Sequence, residues 1–323
     1  MKSIAVSVVR NCEDIIALTV LHHCLLGVDN CIVIDNGSTD GTADLLDIIA
    51  KKHPRVIVIH DPSPFQQAKI VGDVINEFIR RQRTLVITFD ADECWNAPVN
   101  RLVHYFEADA VNVLECNIVN FVQSRSVTEP SPFGWLKAYR RARVVSGHAR
   151  TLVRERKHSF VETNFGHKVV FCAEDAITIA TGAHSVKFGG NNKKYDARFP
   201  CLHLPLRSRL ELEKRANDYE PRRAPFRPGA EASWQSLYFR EKFEQNEIDA
   251  EWRANSYDQS GRMDVFGRAT NTMIDFRLVA RLAKAYAYGL YLKIPMWPGS
   301  PSAANLARRQ RRDAIKDHRL NDR

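Results

Sequence analysis

The sequence has no long uninterrupted apolar run. None of its 323 residues lies in a stretch approaching the roughly 18 to 20 apolar residues that a membrane-spanning helix needs. The N-terminal stretch "MKSIAVSVVRNCEDI" turns polar after about one strand length and lacks a small-residue cleavage site, so it is not typical of a signal peptide. We therefore expect a globular protein of the cytoplasm.

Cysteine is scarce, and its spacing follows no metal-binding or disulfide pattern. The seven cysteines are odd in number, scattered along the chain and never spaced as C-x-x-C. This distribution argues against a zinc cassette or a disulfide framework and favours a reducing compartment.

Acidic residues are the minority charge, which leaves a net charge of +9. Residues 137–157 hold eight Lys and Arg against Glu155 alone, and residues 301–323 hold seven against three Asp. An excess of this sign favours an anionic partner such as a nucleotide, a nucleic acid or an acidic lipid surface, and does not choose among them.

The first hundred residues alternate between short β-branched runs and helical patterns. Strands are predicted at 3–9, 31–36, 55–60 and 84–89, with helices at 13–27, 39–53 and 66–82 between them. This order predicts an α/β fold with a Rossmann-type, mostly parallel sheet flanked by helices.

Polar clusters follow three of these predicted strands. In parallel sheets, ligands bind beyond the carboxyl ends of the strands, so we expect the three clusters to face one crevice. They are Arg10, Asn11 and Glu13; Asp35, Asn36 and Ser38; and Asp90, Asp92 and Glu93.

The third cluster lies in "LVITFDADECWN", where an apolar strand runs directly into acids. Buried charge costs several kcal/mol unless it is paired. Two carboxylates a dipeptide apart, Asp90 and Asp92, are typical ligands for Mg²⁺ or Mn²⁺. The alternative is an acidic surface turn, which an isolated D-x-D motif often is.

The rest of the chain divides by composition. A catalytic domain is predicted for 1–220, a helical C-terminal extension for 221–300 and a basic, flexible tail for 301–323, with a proline-rich linker at 221–230. The helical pattern "DFRLVARLAKAYAYGLYLKIPMW" interleaves apolar and basic residues. It predicts either peripheral association with an anionic membrane through this basic C-terminal segment, or a helix packed on the catalytic domain.

Taken together, "VSVVRNCEDIIALTVLHHCLLGVDNCIVIDNGSTDGT" and "FDADECW" resemble the bacterial branch of the family 2 nucleotide-sugar-dependent glycosyltransferases, which have the GT-A fold. The resemblance is specific over residues 4–95 and looser as far as residue 215. Cys12 departs from it, since relatives carry glutamate there and Glu13 supplies the acid one position later. Cys94 departs as well, at an aromatic or aliphatic position.

The resemblance implies a role for several of these residues. Asp35 is expected to contact the base or ribose of a nucleoside-diphosphate sugar donor, with Asn36 and Ser38 shaping the loop. Asp90 is expected at the ribose or at metal-bound water, and Asp92 at a Mn²⁺ or Mg²⁺ ion. The alternative for 35–42 is an ordinary strand-to-helix turn.

The stretch "HLPLRSRLELEK" resembles a second segment of the same branch. His203 is expected at the metal or the diphosphate, with Arg207 and Lys214 at phosphate oxygens. His184 competes with His203 for the metal role, and His203 can also be a structural histidine. Lys69 is either a phosphate or base contact or a solvated lysine.

The general base of the transfer is left open among Glu162, Glu174 and Asp175, as is inverting or retaining stereochemistry. His22 and His23, on a predicted helix, are interpreted as structural. The expected acceptor is a growing polysaccharide, a glycan or a glycolipid, including lipid-linked ones.

Two rival functions are weaker. A sugar-nucleotide-forming nucleotidyltransferase needs a glycine-rich phosphate loop, and "VVRNCEDI" has no glycine. A nucleic-acid-binding protein does not explain D-x-D and lacks aromatic residues interleaved in the 137–157 basic run, so we expect no nucleic acid partner.

Overall fold

The structure is a computed structural model that describes residues 1–79, 82–108, 111–189, 194–217 and 234–297. Its helices are α1 (Ile16–Leu25), α2 (Thr42–Lys52), α3 (Gln67–Ile79), α4 (Val99–Ala108), α5 (Ala149–Arg154), α6 (Arg209–Asn217), α7 (Trp234–Glu244), α8 (Ile248–Ala254) and α9 (Arg277–Tyr291). The first eight strands are β1 (Lys2–Val9), β2 (Asn30–Asp35), β3 (Val56–His60), β4 (Thr84–Thr88), β5 (Glu93–Trp95), β6 (Val113–Ser124), β7 (Arg140–Arg141) and β8 (His167–Ala173). The others are β9 (Thr178–Ile179), β10 (Val186–Lys187), β11 (Lys194–His203), β12 (Ser256–Tyr257), β13 (Arg262–Val265), β14 (Arg268–Asn271) and β15 (Met273–Ile274).

A central sheet organises the fold, in the order β14-β13-β12-β6-β8-β4-β1-β2-β3. The four strands predicted first, β1 to β4, are parallel to one another. Beyond β4 the sheet becomes mixed, because β8 runs antiparallel to both β4 and β6. The expected α/β fold class is confirmed, with a large sheet flanked by helices that is consistent with the GT-A fold.

Both faces of the sheet are covered, which explains why its strands are continuously apolar. Along β1, Ala5 and Val9 pack into one core and Ile4, Val6 and Val8 into the other. Helices α1, α2, α4 and α9 cover the first face, and α3 covers the second. The sheet therefore presents its functional groups at strand ends, since its faces are closed.

The C-terminal extension is not a separate layer. Strand β12 adds to the edge of β6 in parallel, and α9 packs on α1 through Leu278, Leu282 and Ala285. The extension contains the expected helices, but residues 256–274 form short strands instead of helix. Gly261 and Gly267 make the turns between them at positive φ, a backbone conformation that a helix does not contain.

No helix in the described ranges has the length and hydropathy needed to cross a bilayer. The predicted linker at 221–230 and the predicted tail at 301–323 lie outside the described residues. The domain boundary at 220 remains a prediction.

Candidate active site

A cavity of about 730 Å³ opens at the carboxyl ends of β1 and β4. It lies at the sheet edge where the sequence predicts a crevice. The charged side chains that line it are Arg10, Glu13, Asp14, Asp40, Asp90, Asp92, Glu93, Lys168, Arg207, Glu211, Lys214 and Arg215. His184 and His203 line it too, so it brings together residues that are far apart in the sequence.

Hydrogen bonds join the loop after β1 to the loop after β2. The backbone N–H of Asn11, which has a positive φ, donates to Ser38 Oγ at 3.0 Å. The N–H of Cys12 donates to Thr42 Oγ1 at 2.9 Å, and Glu13 Oε2 accepts from the N–H of Gly41 at 2.7 Å. Glu13 thus anchors the start of α2, which gives the acid at position 13 a structural role.

Asp90 is engaged by a lysine that sequence reasoning missed. Lys168 Nζ lies 2.8 Å from Asp90 Oδ2 and 2.9 Å from Glu93 Oε2, and its side chain is 2% exposed. Gln67 Nε2 donates to the other Asp90 oxygen at 2.9 Å. Burial by itself would lower the pKa of Lys168, but the carboxylates of Asp90 and Glu93 outweigh it and raise the pKa. Lys168 is therefore a buried cation between two acids.

Asp92 faces a different set of groups. Its Oδ1 lies 3.7 Å from His203 Nε2, and its Oδ2 lies 3.4 Å from Arg215 Nη2 and 3.7 Å from Arg207 Nη1. Burial by itself would raise the pKa of Asp92, but the positive charges around it lower it, and those of Arg215 and Arg207 remain when His203 is neutral. Asp92 is therefore an ionised carboxylate pointing at a histidine.

His203 is held in one orientation at the end of β11. Its Nδ1 lies 3.0 Å from Asn120 Oδ1, an acceptor, so Nδ1 carries the proton and Nε2 presents its lone pair to Asp92. Burial lowers the pKa of His203 to about 4, which keeps the ring neutral at physiological pH. The rival His184 also lines the cavity, with its Nδ1 2.7 Å from the carbonyl of His167.

The cavity cations differ in how far they are already neutralised. Arg207 makes a bidentate contact with Asp14, at 2.6 and 3.0 Å, and a further ion pair with Glu211. Within the described part of the chain, Arg10 and Lys214 form no ion pair. The expected phosphate role is therefore better suited to Lys214 and Arg10 than to Arg207.

The predicted nucleotide residues at the end of β2 lie beside the cavity and not in its wall. Asp35 is buried, 3.5 Å from His60 Nδ1, and accepts from the N–H of Ser38 at 3.3 Å. Asn36 donates to the carbonyls of Asp61 and Ser63 at 2.8 Å. These contacts hold the loop after β2 in place, and the base contact of Asp35 remains a prediction.

Lys69 and the predicted bases are not brought to the cavity. Lys69 pairs with Asp73 on the exposed side of α3. Glu162 is buried and accepts from the N–H and the hydroxyl of Ser159. Asp175 follows β8, whose end pairs with Thr84 at the start of β4, so this exposed carboxylate lies at the opposite edge of the sheet.

The two predicted structural histidines have packing roles. His22 Nε2 lies 2.8 Å from the carbonyl of Trp95, and His23 stacks on Phe89 at 3.7 Å between ring centroids. Both are buried, and they lie on α1 beneath the sheet.

The residues that sequence reasoning missed are Lys168, Asp14, Glu211 and Arg215. Asp14 carries a weak signal, since it directly follows the first polar cluster. No sequence signal marks Lys168. A lysine near the start of a strand is expected to be exposed to solvent, and only the pairing of that strand shows that this one is buried.

A divalent cation fits part of this geometry. No group of three or more His, Cys, Asp or Glu side chains placed to hold a metal occurs among the described residues. Asp92 and His203 together offer one carboxylate and one neutral imidazole to a common point. Magnesium and manganese sites commonly use one or two protein ligands plus substrate phosphates and water, so the pair fits such an ion.

The fold and the site together define the class of this protein. It is an α/β protein with a polar, charged cavity at the carboxyl ends of parallel strands, which is where such sheets bind nucleotides. Residues 4–160 match the family described as "Glycosyl transferase family 2". The match supports a transferase activity. Enzymes of the family often use divalent metals.

Solved structures with partial similarity include two of TarS from S. aureus. The TarS 1-349 structure is 12% identical, with a TM-score of 0.36 over 85% of this chain and 97% of that one. A second TarS structure is 14% identical, with a TM-score of 0.33 over 76% of this chain; the chain spans 43% of its length. A putative glucose-1-phosphate thymidylyltransferase from Bacillus anthracis is 8% identical, with a TM-score of 0.30 over 88% of this chain and 94% of that one. No curated protein matches the chain.

Proposed function

We propose that this protein transfers a sugar from a nucleoside-diphosphate donor to a glycan, polysaccharide or glycolipid acceptor, and that the reaction needs Mn²⁺ or Mg²⁺. The observation that carries the metal requirement is the charge of the cavity wall. Seven carboxyl groups line the cavity against five Lys and Arg, so the acids outnumber the cations even when Glu93 is protonated, in a chain of net charge +9. An anionic diphosphate entering such a wall is repelled unless a cation accompanies it.

Asp92 and His203 would hold that cation. Asp92 is ionised and His203 is neutral with Nε2 free, which are the protonation states that ligation requires. When bound, the metal supplies Lewis-acid stabilisation of the departing diphosphate. Lys214 and Arg10 would contact phosphate oxygens directly, since their charges are not already paired.

Lys168 would serve this site from behind. It fixes the orientation of Asp90 and compensates the negative charge of the Asp90–Glu93 pair, which leaves Asp92 as the carboxylate beside His203. Lys168 contacts Asp90 Oδ2 and Gln67 donates to Asp90 Oδ1. A ribose hydroxyl or a water molecule would therefore bind Asp90 Oδ1 by replacing Gln67, which suits an indirect role for Asp90.

The acceptor would lie against the aromatic part of the wall. Phe160, Phe165, Trp234 and Phe239 line the cavity. Phe165 and Trp234 are half-buried, and both pack on Phe160, at 4.7 and 6.2 Å between ring centroids. Aromatic faces of this kind pack well against the apolar faces of sugar rings, which supports a glycan acceptor.

Donor binding tests the proposal. We expect Asp92→Asn to lose the Mn²⁺-dependent part of its affinity in calorimetry across a panel of UDP-, GDP- and other nucleotide sugars, while keeping its melting temperature. Asp175→Asn is the matched control, since the same substitution at the opposite sheet edge should change nothing. Unchanged Mn²⁺-dependent affinity in Asp92→Asn contradicts the metal assignment.

The same assay distinguishes His203 from His184 as the metal ligand. His203→Ala should weaken nucleoside-diphosphate binding far more with metal than without it, and His184→Ala should change it little. A metal-dependent loss at His184 alone would transfer the ligand role to that residue.

A further inference from the structure

Exposed apolar side chains concentrate on one surface of the protein. It is formed by residues 133–137, by β15 with Phe276, and by the outer side of α9, and is here called the α9 face. Seven of the large hydrophobic side chains that are exposed lie on it: Phe133, Leu136, Met273, Ile274, Phe276, Leu290 and Tyr291. Ile274 is 59% exposed and Tyr291 81%.

The segments of the α9 face are joined by direct contacts, so the face is continuous. Strand β15 pairs with β7, which places Ile274 opposite Arg140. The ring of Phe276 stacks on Tyr139 at 5.5 Å, and Phe133 contacts Tyr286 of α9 at 5.6 Å between centroids. Residues far apart in sequence therefore form one apolar surface.

The inner side of α9 is already used, which leaves the outer side without a partner in the described part of the chain. Leu278, Leu282, Ala285 and Gly289 are buried against the core. On the outer side, α9 presents alanines between Arg277 and Tyr291, with Lys284 among them. Because only its inner side packs on the core, α9 could bind another surface with its apolar, cationic outer side while remaining in place.

The charge of the α9 face has one sign. The helix sequence "RLVARLAKAYAYGLY" contains four aromatic or leucine positions near its end and no acid at all. The adjacent Asp275 has its side chain 8% exposed and is paired with Arg277 and Arg141. Lys137, Lys284 and Lys293 are exposed, so the face is cationic wherever it is not apolar.

The chain beyond the face adds to this charge. Residues 301–323 carry seven Lys and Arg against three Asp, and they follow α9 after a short stretch of chain. Basic residues within a Debye length of an anionic bilayer each add attraction to it. Exposed aliphatic and aromatic side chains gain little from a nucleic acid backbone, whereas the interfacial region of a bilayer buries them.

We propose that the α9 face binds the surface of an anionic lipid membrane, with Ile274, Phe276, Leu290 and Tyr291 entering the interfacial region and Lys284 and Lys293 contacting lipid phosphates. The protein would bind as a peripheral protein, and this binding does not depend on the proposed transfer reaction. It would place any enzyme activity of the chain at the bilayer surface.

The test uses the full chain and vesicles in a flotation assay. We expect binding to vesicles that contain phosphatidylglycerol and none to vesicles of phosphatidylcholine alone, with binding weakened by salt. Tyr291→Glu with Lys284→Glu should reduce binding by about tenfold or more. Tyr195→Glu with Lys187→Glu is the matched control, because both residues are exposed outside the α9 face. All variants are checked for an unchanged melting temperature.

Four outcomes would overturn the proposal. The first is equal vesicle binding by the α9-face variant and the control. The second is binding lost on deletion of 301–323 but not on α9-face substitution, which would make the tail alone the membrane element. The third is a concentration-dependent dimer in sedimentation that the α9-face variant abolishes, which would make a second copy the partner. The fourth is RNA binding lost in the same variant with no vesicle binding in the parent.

Discussion

Replacing Lys168 by methionine is the sharpest perturbation that the site offers. The side chain keeps its length and loses its charge, so the apolar packing around the stem is retained. Asp90 and Glu93 lose the cation that lies within 2.9 Å of each. Removing one partner of a buried ion pair usually costs about 3 to 5 kcal/mol of unfolding free energy, because the other charge is left uncompensated. We expect a loss near the lower end, since Glu93 can take up a proton.

That proton gives the prediction a pH dependence with a definite sign. Burial raises the pKa of Glu93 to about 8, although Lys168 opposes the rise. Without Lys168 this pKa rises further, so Glu93 of the variant keeps its proton above pH 8, where Glu93 of the parent ionises. Stability contributed by that proton is present at low pH and is lost as pH rises toward the folded pKa, over a longer pH range in the variant than in the parent. The cost of Lys168→Met should therefore be larger at pH 9 than at pH 6.

Urea unfolding of four proteins measures this effect. They are the parent, Lys168→Met, Glu93→Gln and the double variant, compared at both pH values. The double variant should recover part of the loss and should lose its pH dependence, because Glu93 can then no longer ionise while Asp90 keeps its charge. Lys69→Met is the matched control: its ion pair with Asp73 is on the surface, so no resolvable change is expected. A loss in Lys168→Met as small as that control, and independent of pH, would refute the buried ion pair.

Other predictions address His203, the predicted tail at 301–323 and the buried Glu162. Because burial lowers the pKa of His203 to about 4 from an unfolded value near 6.5, the parent should lose up to about 3 kcal/mol relative to His203→Gln between pH 7 and pH 4. Parallel pH profiles of urea midpoints would contradict that assignment. Deleting 301–323 should leave the melting transition and soluble-donor hydrolysis unchanged, and a collapsed transition would show that the tail docks on the core. Glu162→Ala should lower the melting temperature, since the capping bonds to Ser159 are lost, and any loss of activity should follow that instability.

Local sequence patterns were sufficient to predict the sheet edge that carries the site. The strand-helix alternation places Arg10 and Asp90 correctly, because parallel strands all end on the same side. The placement of Asp175 could not be deduced in this way. It follows an apolar strand just as Asp90 does, but β8 is antiparallel and ends at the other edge. Strand direction depends on contacts distant in sequence, which no local pattern reports.

The same limit explains why the position of Lys168 in the site could not be predicted. Its environment is created by Asp90 and Glu93, about eighty residues earlier, and only the pairing of β8 with β4 and β6 brings them together. The late segment 200–215 was identified by resemblance, yet Arg207 is bound to Asp14 and not left free for phosphate. The sequence was enough to expect the positive charge of Arg207 at the cavity. Its ion-pair partner, Asp14, could be identified only from the structure.

The addition of β12 to the edge of β6 has a consequence for how the protein is made. When residues 1–203 have left the ribosome, β6 can pair with β7, β8 and β11, but its end at Gln123 and Ser124 still lacks the β12 strand. The apolar side of α1 that α9 covers is open to solvent as well. Both are completed only by residues 256–291. Unpaired strand ends and open apolar sides are the features that nascent chains bury late or aggregate through. Residues 4–160 thus reach their final packing only after residues 256–291 have been made.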